Sequence, residues 1–192
     1  MREYYDRRAE EYDETSYGVA DEAESREVAE LAEAIAGLVR ASTLDVGCGT
    51  GFLTRYLPGE VVGLDQSHRM LLRARARLGT SVPLLRADGT RLPFPDRAFG
   101  RLFASHVYDH LEEPDRLAFL EESRRVGEEL VLVVQREVPG APADGFEERL
   151  LRDGSTYRVY KRYFTPGRLL AELGGGALEL DGRTFLCVRS PS

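Results

Sequence analysis

Residues 44–51 read Leu-Asp-Val-Gly-Cys-Gly-Thr-Gly, so Gly47, Gly49 and Gly51 alternate where a short apolar strand, 43–46, runs into a brief helix through Tyr56. Glycine tolerates positive φ and lets a ligand approach the main chain, so such a turn can cradle a nucleotide-like molecule. Asp65 stands eighteen residues after Gly47, at the end of the next predicted strand, 61–64. A carboxylate there can accept hydrogen bonds from both ribose hydroxyls and would repel a 2'-phosphate. The spacing is GxGxG rather than the GxGxxG of pyrophosphate-binding turns, and Asp45 precedes the first glycine by two residues. Beside a diphosphate that acid would be repulsive; beside an ammonium or sulfonium group it would be attractive. Cys48 has no readable base partner, which makes it a small turn residue rather than a nucleophile.

A second group lies just past the predicted strand 101–105, at the edge where open α/β sheets bind ligands. There His106 and His110 flank Tyr108 and Asp109, and either histidine could serve as a general base. Their spacing with Asp109 fits no familiar metal site, so no metal is expected. Asp88 and Gly89 form a turn pair with a cofactor-facing alternative. Arg69, Arg73, Arg75 and Arg77 share a helix face, and Tyr157, Arg158, Tyr160, Lys161, Arg162 and Tyr163 interleave rings with positive charge, a mixture that can bind RNA. With a formal net charge of -7, a solvated, ion-paired surface is the better reading, and nucleic acid is not the expected partner.

The elements that must position these residues alternate. Helical spacing predicts helices over 2–14 and 20–40, the second carrying Val28, Leu31, Ala32, Ile35, Leu38 and Val39. Strands at 43–46, 61–64, 82–86, 101–105 and 130–134, with helices at 67–78 and 114–126, imply a parallel sheet covered on both faces. Residues 135–164 lose periodicity and carry Pro139, Gly140, Pro142, Gly145 and Gly154, so a functional loop with a helical piece at 146–151 is expected there. Thr165 and Pro166 suit an N-cap and first turn, Gly174–Gly176 end that helix, and 177–189 reads as two strands joined near Asp181 and Gly182.

The run LDVGCGTGFLT resembles motif I of the class I S-adenosylmethionine (SAM)-dependent methyltransferases. The order of GLDQS at 63–67, ADGTRLPFPD at 87–96, ASHVYDHL at 104–111 and YYDRRAEEYDE at 4–14 resembles the small-molecule group related to quinone-biosynthesis enzymes. Gly100 departs from the family's usual aspartate before the fourth strand. The resemblance implies an α/β fold, a Rossmann-like three-layer sandwich whose mostly parallel seven-stranded sheet ends in an antiparallel C-terminal hairpin. It further implies that Asp45, Gly47, Cys48, Gly49 and Gly51 surround the methionine part of SAM and that Asp65, with Gln66, holds the ribose. Asp88, flanked by Ala87 and Gly89, would face the adenine, Ser105 and His106 would floor the methyl region, and Tyr12 would close over the cofactor. The acceptor, a small molecule methylated on O, N or C, would meet Tyr4, Tyr5, Tyr108 and Tyr160. A noncatalytic SAM-binding module and a nicotinamide-dependent reductase are the competing readings.

The chain's 192 residues suit one domain: a helical cap over 1–40, a cofactor-binding core over 43–135, a substrate-side segment over 136–164 and a C-terminal helix and hairpin over 165–192. Hydrophobic residues at 42% and charged residues at 31% exclude disordered and disulfide-scaffold classes. No apolar run reaches the roughly 18 residues of a membrane span, and the charged N-terminus lacks a secretory signal, so a cytoplasmic protein is expected. Cys48 and Cys187 are too few for a disulfide framework. Lys161 is the sole lysine among many arginines. Nothing in the sequence specifies an oligomeric state.

Overall fold

The computed structural model describes residues 1–17 and 22–191. The N-terminal segment forms α1 (Arg2–Arg8) and α2 (Tyr12–Ser16), followed by α3 (Glu22–Ala36). One helix was expected over 2–14; instead the chain turns at residues 9–11, where the buried Glu11 carboxylate accepts a hydrogen bond from the Arg152 backbone N–H. The expected start of the next helix, at 20, lies outside the described residues.

Strands β1 (Ala41–Val46), β2 (Gly59–Asp65), β3 (Leu84–Arg86), β4 (Arg101–Ser105) and β5 (Glu129–Gln135) are joined through α4 (His68–Leu78), α5 (Glu113–Val126) and two short 3-10 turns, Thr54–Tyr56 and Tyr108–His110. Each lies within a few residues of its predicted span. After β5 come β6 (Asp144–Leu150) and β7 (Thr156–Arg162), then α6 (Pro166–Leu173), β8 (Ala177–Asp181) and β9 (Phe185–Pro191). Thr165 caps α6 by accepting from the Arg168 N–H, as Ser67 caps α4 by accepting from that of Met70.

The main sheet has the order β3-β2-β1-β4-β5-β9-β8, with β5, β9 and β8 antiparallel and the other pairs parallel. Alternation along β4 and β5 explains how one run covers two faces. Leu102, Leu130, Leu132 and Val134 pack with Phe119, Leu169 and Leu173 of α5 and α6, while Phe103, Val131 and Val133 pack with Leu31 and Ile35 of α3. The result is the mostly parallel, Rossmann-like three-layer arrangement. Strand order reverses between β1 and β4, which leaves a crevice at their carboxyl ends, the place where such sheets bind ligands.

The segment 135–164 departs from expectation. In place of a loop with a helical piece at 146–151, β6 and β7 form a two-stranded antiparallel sheet, register-matched from Asp144 with Arg162 to Leu150 with Thr156. Its turn is built by Asp153, whose carboxylate accepts from the Ser155 N–H at 2.9 Å, and by Gly154 at φ 83°. Leu151 and Val159 bury against Tyr4 of α1, so tertiary packing stabilises strands whose own sequence is too polar to announce them.

Candidate active site

The glycine turn leaves β1 with its first two N–H groups tied to the last residues of β2: Gly47 N and Cys48 N donate to the Leu64 carbonyl at 2.7 and 2.9 Å. The three glycines have three different jobs. A Cβ on Gly47 would sit 2.2 Å from a Val107 methyl, and one on Gly51 would meet the Leu78 side chain at 2.8 Å. Gly51 therefore seats the turn on α4 and lies outside the cleft. A Cβ on Gly49 would meet nothing nearer than Tyr12 at 4.0 Å, so its main chain faces open space.

That space is a cleft of about 780 Å³ lined by Gly47, Gly49, Asp65, Gln66, Asp88, Gly89, Ser105, His106, Tyr5 and Tyr12 among others. Asp65 ends β2 there, its two carboxylate oxygens accepting from Gly49 N at 2.9 Å and Ser67 N at 2.7 Å. A carboxylate has about four acceptor positions, so each oxygen retains one for an incoming hydroxyl. Burial pushes the Asp65 carboxyl up, while the N–H groups of Ser67 and Gly49 pull it down. Asp88 holds its own turn by accepting from the Thr90 N–H and hydroxyl at 2.9 and 2.8 Å, and Gln66 donates to the same oxygen at 3.3 Å. Its other oxygen has no partner among the described residues.

Asp45 points to the opposite face of β1, accepting from the Thr54 hydroxyl at 2.6 Å, with its second oxygen buried and unpartnered. Burial raises its carboxyl to about 7, against the Thr54 hydrogen bond, with the nearby Asp65 charge adding to the rise. Cys48 is buried beside it, its thiol pushed up by burial. Ala87 packs against the core and lines neither cavity. Tyr12, expected as a cover, does border the cleft, held by the Arg8 guanidinium 4.8 Å from its ring centre.

A second cavity, of about 920 Å³, lies on the far side of His106 and is lined by Tyr4, Arg8, Thr15, Ser16, Tyr17, Glu27, Arg149, Lys161 and Thr184. The two cavities meet at Tyr12, His106 and His110, which line both. His106 has φ 54°, a left-handed conformation rare for a side-chain-bearing residue, held by its N–H donating to Val133 O at 2.9 Å. Its Nδ1 lies 3.5 Å from Asp109 Oδ2. Asp109 is fully buried; burial would raise its carboxyl, yet the Lys161 ammonium and His106 hold it well below the usual range. His110 bonds through Nδ1 to the Tyr160 carbonyl at 2.8 Å, and burial with the neighbouring Lys161 drives its imidazole down to about 3. It is therefore neutral and a weak base, whereas His106 keeps a carboxylate behind it.

Of the tyrosines expected at the acceptor, Tyr5 borders the cofactor cleft and Tyr4 the second cavity. Tyr108 does not: it is 1% exposed, stacks on Phe164 and donates to Glu172 at 2.9 Å, because the 3-10 turn directs it, with its neighbour Asp109, into the interior. Tyr160 places its carbonyl, not its ring, at the site; the ring packs on Phe146. Sequence reasoning missed Arg8, Arg149 and the Asp109–Lys161 pair. The available signal was Lys161 itself, the one lysine among arginines. Among the described residues there is no group of three metal-binding side chains and no helix long and apolar enough to cross a membrane.

The methyltransferase-domain family model matches residues 44–129, which spans the glycine turn, Asp65, Asp88 and the two histidines. Phosphatidylethanolamine N-methyltransferase of Cereibacter sphaeroides is 32% identical over 73% of this chain and 71% of its own. Demethylmenaquinone methyltransferase of Thermus thermophilus is 36% identical over 69% of this chain and 57% of its own. The solved complex of DhpI with SAH superposes with a TM-score of 0.80 at 27% identity, covering 99% of this chain and 94% of that one. The chain belongs to the class I SAM-dependent methyltransferases. Other curated relatives, among them malonyl-[acyl-carrier protein] O-methyltransferases, are matched over only 25% and 29% of their length.

Proposed function

We propose that this protein transfers a methyl group from SAM to an O, N or C atom of a small-molecule acceptor. The observation that carries the reading is Asp65, whose carboxylate keeps spare acceptor positions beside the bare main chain of Gly49 in a cleft at the strand-order reversal. The residue set suits an adenosyl group: Asp65 for the ribose with Gln66 beside it, the free oxygen of Asp88 for the adenine amino group, Gly47 and Gly49 for the methionine part, and Asp45 beneath as a buried carboxyl. When bound, SAM supplies a methyl carbon activated by its sulfonium. Residues 1–40 act as a cap, 43–135 as the cofactor core, 136–164 as the acceptor side and 165–192 as the closing helix and hairpin of one domain.

The chain's own contribution is alignment and exclusion of water. Fixing two reactants can supply up to about 7–11 kcal/mol. A general base typically adds about 10²–10⁴ in rate, roughly 3–5 kcal/mol. His106, lining both cavities with Asp109 behind it, is the residue placed to take a proton from the acceptor. His110, neutral and anchored to Tyr160, positions rather than exchanges protons. A small-molecule rather than nucleic-acid acceptor accords with the net charge of -7.

Calorimetric titration with S-adenosylhomocysteine tests the reading directly. Binding in the micromolar range is expected; absence of binding at millimolar ligand overturns it, and saturable NADH binding would favour the reductase. Tight cofactor binding with no turnover on any acceptor would instead indicate a noncatalytic module.

A further inference from the structure

We infer that the second cavity is an oxyanion site that takes a carboxylate or phosphate group of the acceptor, with Lys161 on its floor and Arg8 and Arg149 on its walls. The inference rests on the methyltransferase reading, and the cavity's junction with the cofactor cleft at Tyr12 and His106 would let a molecule anchored by its acidic end present another atom to the methyl group.

The first argument is the cost of Lys161. It is the only lysine in the sequence, and it is 3% exposed. A buried ammonium carries a heavy desolvation penalty, and arginine would serve as well for a plain ion pair. An ammonium has three donors. One goes to Asp109 Oδ2 and a second lies 3.4 Å from His110 Nε2; the third has no partner among the described residues, and the side chain lines the cavity.

The second argument is Arg8. Its Nε and Nη2 donate to the hydroxyls of Thr15 and Ser16 at 2.9–3.3 Å, and its plane lies near the rings of Tyr4 and Tyr12. All of these partners are neutral. Among the described residues it makes no ion pair, and Nη1 donates to nothing. Arg149, at the rim, pairs through Nη2 with Glu147 and keeps its other donors open. Of the acids near the site only Glu27 lines the cavity, where its Oε1 accepts from Thr184 N and Phe185 N at 2.6 and 2.9 Å; Asp109 sits behind Lys161, and Glu147 pairs with Arg149. The hydroxyls of Ser16 and Tyr17 line the cavity as well, while that of Thr15 already donates to the Glu11 carbonyl. An uncharged acceptor would leave these donors desolvated and unpaired; an oxyanion would satisfy them with charge-assisted hydrogen bonds.

The test uses the full chain saturated with S-adenosylhomocysteine and titrated calorimetrically with acetate, inorganic phosphate and acetamide, at one ionic strength held with chloride. Saturable binding of acetate or of phosphate is expected, with none of acetamide; which anion binds identifies the acidic group. Arg8→Gln should weaken that binding by about tenfold or more, the loss of one charge-assisted contact. Lys161→Met should do the same if it folds, and Arg8→Gln decides the matter if it does not. Failure of both anions to bind, equal binding of acetamide, or an Arg8→Gln variant that binds like the wild type overturns the inference. Loss of S-adenosylhomocysteine binding by the wild type would overturn the methyltransferase reading instead.

Discussion

Substituting Asp65→Asn separates the ribose-gripping role from the structural one. The carboxylate already serves the fold through Gly49 N and Ser67 N. Asparagine has one acceptor oxygen, so one of those two N–H groups would face an amide NH₂ and lose its partner. An unsatisfied buried donor costs about 1–3 kcal/mol. Part of this is returned because burial already disfavours the Asp65 charge, which leaves an expected loss of about 1 kcal/mol in stability. Ligand binding should suffer more. Two charge-assisted bonds to ribose hydroxyls, at about 1.5–3 kcal/mol each, amount to a loss of roughly 10²–10⁴ in affinity. Calorimetry with S-adenosylhomocysteine measures the second quantity, and urea denaturation of the free protein the first. A folded Asp65→Asn variant that binds within about threefold of the wild type would refute the assignment of Asp65 to the ribose.

Three further outcomes follow from the geometry. Gly47→Ala should destabilise the fold by several kcal/mol, since its Cβ would overlap a Val107 methyl at 2.2 Å and its φ is 73°; Gly49→Ala should cost only the left-handed strain of about 1–2 kcal/mol yet reduce S-adenosylhomocysteine affinity, as thermal melting and titration on both variants would show. Asp45 has a folded-state carboxyl raised to about 7 from 3.8, so it contributes stability in full below about pH 4 that is lost as pH rises to about 7; His110, lowered to about 3 from 6.5, and Asp109, also lowered, work in the opposite direction as pH falls. The stability of Asp45→Asn minus that of the wild type therefore isolates the first effect and should rise by a few kcal/mol between pH 4 and 7; a flat difference in denaturation midpoints would exclude it. Lys161→Met leaves Asp109 buried without its counter-charge and should cost about 3–5 kcal/mol in chemical denaturation, with Asp109→Asn in the same chain recovering part of that loss.

The amino-acid sequence by itself determined the alternating strands and helices, the glycine turn, Asp65 at the end of the second strand and the histidines past the fourth. These rest on short-range physics. Buried parallel strands need unbroken apolar runs, and a tight turn under a ligand needs glycine, so both are written in neighbouring residues. Only the tertiary structure decided which glycines border the cleft and which one leaves open main chain there. Gly47, Gly49 and Gly51 are alike in the chain, and what separates them is the approach of Val107, open space and Leu78. The β6–β7 hairpin was hidden for a related reason: its alternation is blurred, with Phe146 and Leu150 exposed on one face and Glu147, Arg149 and Lys161 beside Val159 on the other, and its strands are held by Tyr4 far away in sequence. Tyr108 and Lys161 show the same rule from opposite sides. A tyrosine beside the site turned into the core, and a lysine from a charged surface-like run turned into a cavity, because side-chain direction there is set by the packing of distant segments and not by local pattern.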